Sequence, residues 1–470
     1  MRILSFQIRN GLGQFGMGHR NFTHSFDAFG KLSSWKFPGN GSAFFSTKFI
    51  QSDFYKASVS ANDIEPWLMF ESVTPPFDEI QKLHALIRGI DNMNVNIAKL
   101  NSDGGATFVA LNDFWKIYEI DPYSLSTTRS LTANVPQGGK TGSVTFLNFL
   151  SSAHPLPEYG TGNHITFLSS VSLIPGIKSK ITTVRIRTAD KREEIAHWEV
   201  DRVPYMHSFS VTQNYVIFFA SPFYVNVMKM IRYAEPFNCL DWNKNEVTTV
   251  YVVEIKTGKV YTMKTENMFT MHHINAFESG KREITVDVSS YPSPQFVKDL
   301  QMKILLDPIE RNNFDAHALL KRYHIDIDRK EVTAVSFPVS KTVPFANKLD
   351  MPTINENYRY QNYCYIYGVV LKSDDTNLSH ISLVKKDICN ASGDKSWFIK
   401  HHYPVEAWFV GAPSAKEEDD GYLLVPILDG KNKTSYLSII DTKTMKTVNR
   451  AELPTIVPFN LHGRFFEDVV

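Results

Sequence analysis

Several features that would place a protein in a familiar class are scarce or missing from this sequence of 470 residues. Its three cysteines, Cys239, Cys364 and Cys389, are far apart and form neither a CxxC pattern nor a disulfide framework. No apolar run reaches the roughly 18 residues typical of a membrane-spanning helix. The opening segment, Met1–Phe6, is too short and too soon interrupted to be a signal peptide. These absences predict a soluble protein of a reducing compartment, the cytoplasm.

A strong charge of one sign is also missing. The 50 basic residues nearly balance 49 acidic residues, for a formal net charge of +1. Because nucleic-acid-binding proteins concentrate positive charge, no nucleic-acid partner is expected. What the sequence does have is a 43% hydrophobic share and 13% aromatic residues, enough for a large core.

Strand patterns dominate the chain after about residue 101. Three segments look alike, each an alternating strand that runs into a turn with Asp or Gly and then into another strand: Lys116–Leu125, Val250–Lys259 and Tyr436–Met445. Repeated hairpins favour a β-propeller over a sandwich, and repeats of about 40–50 residues would fill most of seven or eight blades. Unrelated hairpins in a generic all-β fold are the alternative. Before these strands, Ile80, Leu83, Leu86 and Ile87 have helical spacing and predict a short amphipathic helix.

The N-terminal glycines match the dinucleotide-binding pattern GxGxxG at Gly11, Gly13 and Gly16. A dinucleotide site needs a helix directly after the glycines. The residues from Met17 to Phe29 have no helical periodicity, so we do not predict such a site.

Histidines in apolar surroundings are the most informative feature. His272 and His273 lie between apolar runs in a segment that predicts a buried strand, and His154, His207 and His462 have apolar or small neighbours. A single buried histidine is usually satisfied by the backbone, but several suggest a metal centre. The segments that contain these histidines are too far apart in sequence for a local motif such as HExxH. Imidazole ligands suit Zn, Cu, Fe or Ni, so the residues alone do not choose the metal.

These histidine segments resemble the four metal-ligand motifs of the carotenoid cleavage oxygenases, a family that includes the retinoid isomerohydrolase of the eye. The segments occur in family order, and the resemblance runs from about Arg9 to Phe466. They are His154-Pro155, Met206–Phe209, His272–Glu278 and Pro458–Phe466.

The resemblance implies an all-β fold: a seven-bladed β-propeller with a helical or loop cap and iron on the propeller axis. We expect residues 1–470 to form a single domain of this type. Family members usually have several tens of residues before the segment that begins at Gln7, so the first blade is expected to be incomplete at the N-terminus.

The resemblance also implies the site. One Fe²⁺ per chain would be held by His154, His207, His273 and His462, with positions open for dioxygen. His272 is not expected to be a ligand, because the family ligand directly precedes the Ile-Asn-like step. Three family glutamates support the ligands in the second coordination sphere, and their counterparts here are Asp113, Asp350 and Glu406. The two aspartates are one methylene shorter, which predicts a weaker hold on iron.

The expected reaction is oxidative cleavage by O₂ of a conjugated double bond in a carotenoid or apocarotenoid, with no catalytic group beyond the metal site. Two alternatives stay open: isomerisation of a retinoid or apocarotenoid on the same iron, and a degenerate propeller that binds carotenoid without turnover. Residues 218–242, apolar with Lys229 and Arg232, form either a lid over the core or a peripheral contact with a membrane. No obligate protein partner is evident.

Overall fold

The computed structural model describes residues 5–134, 146–172, 174, 176–314, 317–374, 379–453, 455–457 and 459–467. Within these residues the chain is all-β with a small share of helix. Seven antiparallel sheets of four or five strands follow one another along the chain.

The first four sheets contain the N-terminal half of the chain. The first has strands Asn460–Glu467, Ser5–Gln14, Phe29–Phe37 and Phe44–Phe49, in that order. The second has Asn96–Ser102, Gly105–Leu111, Lys116–Ile120 and Thr127–Thr132. The third has Phe146–Leu150, His164–Ser172, Ser179–Thr188 and Lys191–Val200, with Leu156–Pro157 beside them. The fourth has Ser210–Val211, Tyr215–Ala220, Thr248–Glu254 and Val260–Thr265.

The remaining strands form three more large sheets and two small ones. The fifth sheet has Phe269–Gly280, Glu283–Tyr291, Leu319–Asp326 and Glu331–Ser336. The sixth has Asp350–Thr353, Tyr365–Val370, Ser382–Asp387 and Lys395–Trp397. The seventh has His402–Pro404, Trp408–Gly411, Gly421–Asp429, Thr434–Asp441 and Lys446–Leu453. The small sheets are Gly16–Met17 with Arg20–Phe22 and Val73–Thr74, and Phe223–Val225 with Leu240–Trp242.

The two ends of the described chain meet in the first sheet. Ser5–Gln14 pairs with Asn460–Glu467 on one side and with Phe29–Phe37 on the other. This sheet has four strands, and the C-terminal strand is its end member. That the first blade is incomplete at its N-terminus stays a prediction.

Each large sheet packs against the next through a shared apolar cluster. Val252 of the fourth sheet and Val286 of the fifth, for example, are fully buried in one cluster. The seventh sheet packs in turn against the first, since Leu437 and Trp35 share a cluster. The three predicted hairpins are the outer strands of the second, fourth and seventh sheets.

The helices are short and lie mainly between sheets. The α-helices are Asp53–Ala61, Glu79–Arg88, Val227–Tyr233, Gln295–Lys298, Met302–Leu306 and Pro308–Asn312. Single 3-10 turns occur at Ser25–Asp27, Phe237–Cys239, Ala346–Lys348, Glu356–Tyr358 and Ala391–Gly393. The predicted amphipathic helix is Glu79–Arg88, but Ile80, Leu83 and Ile87 face outward. In the described part of the chain, no helix has the length and apolarity to span a membrane.

A disulfide joins Cys364 and Cys389, with an S–S distance of 2.03 Å. The sequence analysis did not predict this pair. The cysteines are far apart in sequence but flank paired strands, since Tyr365 lies opposite Asp387. The expectation that the cysteines form no disulfide is therefore wrong, and the compartment stays a prediction.

Candidate metal centre

Four histidines from four different sheets converge at one point. His154 follows the first strand of the third sheet, and His207 lies just before the first strand of the fourth. His272 lies within the first strand of the fifth sheet, and His462 within the C-terminal strand of the first. One ligating nitrogen from each of them lies within 4.8 Å of the others.

The Nε2 atoms face one another. Those of His154 and His207 are 3.0 Å apart, and those of His272 and His462 are 3.3 Å apart. Four neutral imidazole nitrogens in such close contact repel one another unless a proton or a cation lies between them. The arrangement is therefore that of a metal-binding site.

The structure places His272 in the cluster, and the prediction of His273 in this position is wrong. The strand has a bulge here, because the four residues from Thr270 to His273 lie opposite only three, from Ser290 to Val288, on the neighbouring strand. A bulge redirects side chains. The ring of His273 lies elsewhere, with Nδ1 2.8 Å from the Ser210 hydroxyl and the ring centroid 5.4 Å from that of Phe219.

Three carboxylates hold three of the histidines from behind. Nδ1 of His207 is 2.6 Å from Asp113, and Nδ1 of His272 is 2.7 Å from Asp350. Nδ1 of His462 is 2.7 Å from Glu406. A carboxylate at Nδ1 fixes the tautomer that leaves Nε2 free to bind a metal. Both aspartates reach their histidines directly.

The carboxylates are themselves held by partners that the sequence analysis did not identify. The hydroxyl of Tyr205 donates to Asp113 at 2.8 Å, and that of Tyr291 donates to Asp350 at 2.6 Å. Arg9 donates to Glu406 at 3.2 Å. Arg9 lies in a segment that the family resemblance covers, but the two tyrosines carry no local signal because their partners are distant in sequence.

The carboxylates come from the three large sheets that supply no histidine. Asp113 follows the second strand of the second sheet, and Asp350 begins the sixth. Glu406 lies between two strands of the seventh sheet. All seven large sheets therefore contribute to the centre.

His154 differs from the other three because no carboxylate holds it. Its Nδ1 is 3.5 Å from the amide nitrogen of Asn96, which also donates to the carbonyl of Ala153 at 2.9 Å. The backbone N–H of His154 donates to the hydroxyl of Ser152. This ligand position is therefore held mainly by the loop around it.

The pKa values of His154 and His272 shift in opposite directions. Burial lowers the pKa of His154 well below its usual value, and the neighbouring histidines lower it further. Burial also lowers the pKa of His272, but Asp350 outweighs burial and the net shift is upward. Burial raises the pKa of Asp350, but His272 outweighs burial, so the carboxylate is held ionised.

Close packing fixes the strand that carries His462. A Cβ on Gly463 would lie 2.4 Å from the carbonyl oxygen of Ile8 and 2.6 Å from a side-chain carbon of Arg9. Only glycine fits here, because such distances are far inside van der Waals contact. This close approach fixes the strand of His462 against the strand of Arg9, so that Glu406 can contact both residues.

A cavity opens on the free side of the histidines. Apolar side chains on its wall include Leu156, Phe209, Ile274, Ile354 and Trp408. Glu356, Arg359 and Arg464 line it as well. A metal at the centre would therefore face a cavity with both apolar and polar side chains on its wall, a setting in which small molecules bind.

The four imidazoles are the groups that would bind the metal, while the carboxylates bind the far side of the imidazole rings. Such a set of ligands fits a first-row transition metal such as iron, copper, nickel or zinc. The neighbouring histidines His401 and His402 lie away from this centre: His401 is exposed, and Nδ1 of His402 is 2.9 Å from the hydroxyl of Tyr436. Gly11 and Gly13 lie within the strand Ser5–Gln14, which argues against a dinucleotide site.

Packed antiparallel sheets with four histidines at their meeting point define a metal-binding β protein. Comparison with known proteins gives the family. The family model described as retinal pigment epithelial membrane protein matches residues 6–467. The chain therefore belongs to this family, the carotenoid oxygenases.

Curated relatives cover nearly the whole chain. Beta,beta-carotene 15,15'-dioxygenase of Mus musculus is 26% identical over 98% of this chain and 86% of its own length. Carotenoid cleavage dioxygenase 8, chloroplastic, of Arabidopsis thaliana is 26% identical over 97% of this chain and 80% of its own. Among solved structures, the cobalt-substituted apocarotenoid oxygenase of Synechocystis superposes with a TM-score of 0.82 at 22% identity, over 99% of this chain and 93% of that one. At that identity the superposition supports the fold alone.

Proposed function

We propose that this protein is a carotenoid dioxygenase that cleaves a conjugated double bond of a carotenoid or apocarotenoid with O₂. The observation that carries the proposal is the cluster of four Nε2 atoms facing a cavity that has apolar side chains on its wall, in a chain of the carotenoid oxygenase family. One C=C bond and one O₂ become two C=O groups, so the reaction needs no further oxidant or reductant.

The residues proposed to hold one Fe²⁺ are His154, His207, His272 and His462. When bound, Fe²⁺ supplies the redox chemistry that makes dioxygen reactive towards an alkene. Asp113, Asp350 and Glu406 hold three of the four histidines in place, and the loop around His154 holds the fourth. The cavity excludes water and determines which double bond lies beside the centre.

The proposed architecture is a seven-bladed β-propeller formed by residues 1–470 as one domain, with the iron on its axis. Two observations support it: each large sheet packs on the next and the seventh on the first, and all seven contribute to one centre. The short helices, including Glu79–Arg88 and Val227–Tyr233, would belong to the cap.

The proposed contact with a membrane surface involves these same helices. Met228 and Ile87 are each 75% exposed, and Ile231 and Leu83 are more than half exposed. The two helices adjoin each other, since Ala85 and Ala234 share a cluster. Exposed apolar side chains beside Lys229 and Arg232 suit an anionic bilayer surface.

Sedimentation with anionic lipid vesicles tests the membrane contact. We expect the wild type to sediment with vesicles and the double variant Met228→Glu, Ile231→Glu to stay in solution. Val448→Glu, in an exposed position of the seventh sheet, is the matched control. Equal sedimentation of all three would contradict the contact.

A cytoplasmic location at such a surface stays a prediction, and an intact Cys364–Cys389 disulfide in protein isolated from its native cells would argue against it.

Product analysis tests the function. Fe²⁺-loaded protein is incubated in air with β-carotene and several apocarotenals, and the products are identified by mass spectrometry. We expect aldehydes that require iron and disappear in His272→Ala. Products of unchanged mass would favour the isomerase, and tight binding without any product from folded, iron-loaded protein would favour the carrier.

A further inference from the structure

Arg464 places a positive charge in the wall of this cavity. It lies two residues after His462 in the strand Asn460–Glu467, so both side chains are on the same face of the sheet. It lines the cavity together with His154, His272 and His462. A cation in such a wall is costly unless it has a partner.

The partners of Arg464 within the described residues leave most of its donors free. One guanidinium N–H donates to the carbonyl of Pro155 at 3.4 Å, which is a long hydrogen bond. Pro155 directly follows His154, so the guanidinium lies next to the metal centre. A guanidinium has five N–H donors, and this is the one hydrogen bond from Arg464 that the described residues show.

The acidic group Glu356 attracts Arg464, but its hydrogen bonds go to another arginine. Glu356 accepts two hydrogen bonds from Arg359, at 2.6 and 2.5 Å. Glu356, Arg359 and Arg464 all line the cavity, so this part of the wall has two cations and one anion. The excess positive charge belongs to Arg464.

We infer that Arg464 binds an oxygen atom at one end of the polyene, and that the preferred substrates are therefore apocarotenoids ending in an aldehyde or a carboxylate rather than hydrocarbon carotenes. This inference rests on the proposed function and defines its substrate class. A planar guanidinium fork matches the lone pairs of a carbonyl or carboxylate. A hydrocarbon end would instead leave the N–H donors buried without partners.

Absorption spectroscopy of the metal-free protein tests the inference without any turnover. The colour of a polyene aldehyde shifts to the red when its carbonyl accepts a hydrogen bond from a cation, because the positive charge draws electrons along the conjugated chain. We expect a red shift of a bound apocarotenal in the wild type, a smaller one in Arg464→Lys, and none in Arg464→Leu. The exposed Arg450→Leu, on the outer strand of the seventh sheet, should behave as the wild type.

Steady-state kinetics of the iron-loaded protein provides the second test. We expect the ratio of kcat/KM for the apocarotenal to that for β-carotene to fall by about 10- to 100-fold in Arg464→Leu, the range for loss of a hydrogen bond to a charged group. Arg450→Leu should keep the ratio.

The wild type alone can overturn the inference, even where Arg464→Leu does not fold. An unshifted apocarotenal spectrum together with equal kcat/KM for the two substrate classes would contradict it. An unchanged shift in a folded Arg464→Leu would do so as well. Absence of cleavage with every substrate would instead contradict the proposed function, and the spectral shift would still decide the role of Arg464.

Discussion

His272 and His273 are neighbours in one strand, yet their rings lie in two different surroundings. The ring of His272 points to the other three cluster histidines and has the carboxylate of Asp350 behind it. That of His273 lies between the hydroxyl of Ser210 and the ring of Phe219, and burial lowers its pKa to about 3. Burial alone therefore does not identify a ligand. A carboxylate on Nδ1 and other histidines facing Nε2 do.

The largest expected effect is on iron affinity, and it should differ between His272 and His273. His272→Ala should lower iron affinity by more than about 100-fold, the upper range for loss of a supporting group, because it removes a ligand. His273→Ala should keep iron and cost about 1–3 kcal/mol of stability, since it leaves the hydroxyl of Ser210 without this partner. Iron content after dialysis and urea unfolding measure the two effects. Iron loss in His273→Ala alone would reverse the assignment.

The supporting carboxylates should have the next largest effect. Asp350→Asn and Glu406→Gln should each lower iron affinity or turnover by about 10- to 100-fold, because a neutral amide orients the imidazole less strongly.

Asp113→Glu and Asp350→Glu test whether the shorter side chains weaken the hold on iron, as the family resemblance implied. Since both aspartates already make direct hydrogen bonds, we expect no gain from the longer side chain. Tighter iron binding in either variant would contradict this expectation.

The amide behind His154 should matter least within the centre. Asn96→Ala removes a contact of 3.5 Å, so we expect iron affinity to fall by less than about 10-fold, below the range for a carboxylate. Iron titration of Asn96→Ala beside Asp113→Asn measures the difference. An equal loss in both would mean that all four histidines depend on their partners alike.

His24, a buried histidine outside the metal centre, should make the stability of the protein depend on pH. His24 has Nε2 2.8 Å from the carbonyl of Val297, while its Nδ1 accepts from the N–H of Phe26. Burial lowers its pKa to about 4 from 6.5. The unfolded chain therefore binds a proton between these values that the folded chain does not, and stability falls as the pH drops through this window.

The pH-dependent loss attributable to His24 should approach about 3 kcal/mol near pH 4. Urea unfolding at several pH values measures it, with His24→Leu as the variant that cannot titrate. We expect a shallower pH dependence in His24→Leu, whatever its stability at pH 7. Identical slopes would show that other groups account for the acid sensitivity.

Much of the strand pattern could be predicted from the sequence, because alternation of apolar residues and turn chemistry are local. The hairpin that begins at Lys116 is an example. Family motifs likewise indicated His154, His207 and His462, and the three carboxylates lie where the resemblance placed them.

What could not be predicted depends on geometry between distant residues. The bulge near His272 changes which histidine of the pair faces the centre, and nothing in the local pattern marks it. The Tyr205 and Tyr291 contacts and the Cys364–Cys389 pair join segments that only the folded sheets bring together. The fourth strand of the first sheet comes from the opposite end of the chain for the same reason.

Anomalous diffraction at the iron edge, from crystals of Fe²⁺-loaded protein, tests the central claim most directly. The account predicts one peak per chain, among the Nε2 atoms of His154, His207, His272 and His462. A peak beside His273, or no peak at the four histidines in crystals shown to contain iron, would contradict it.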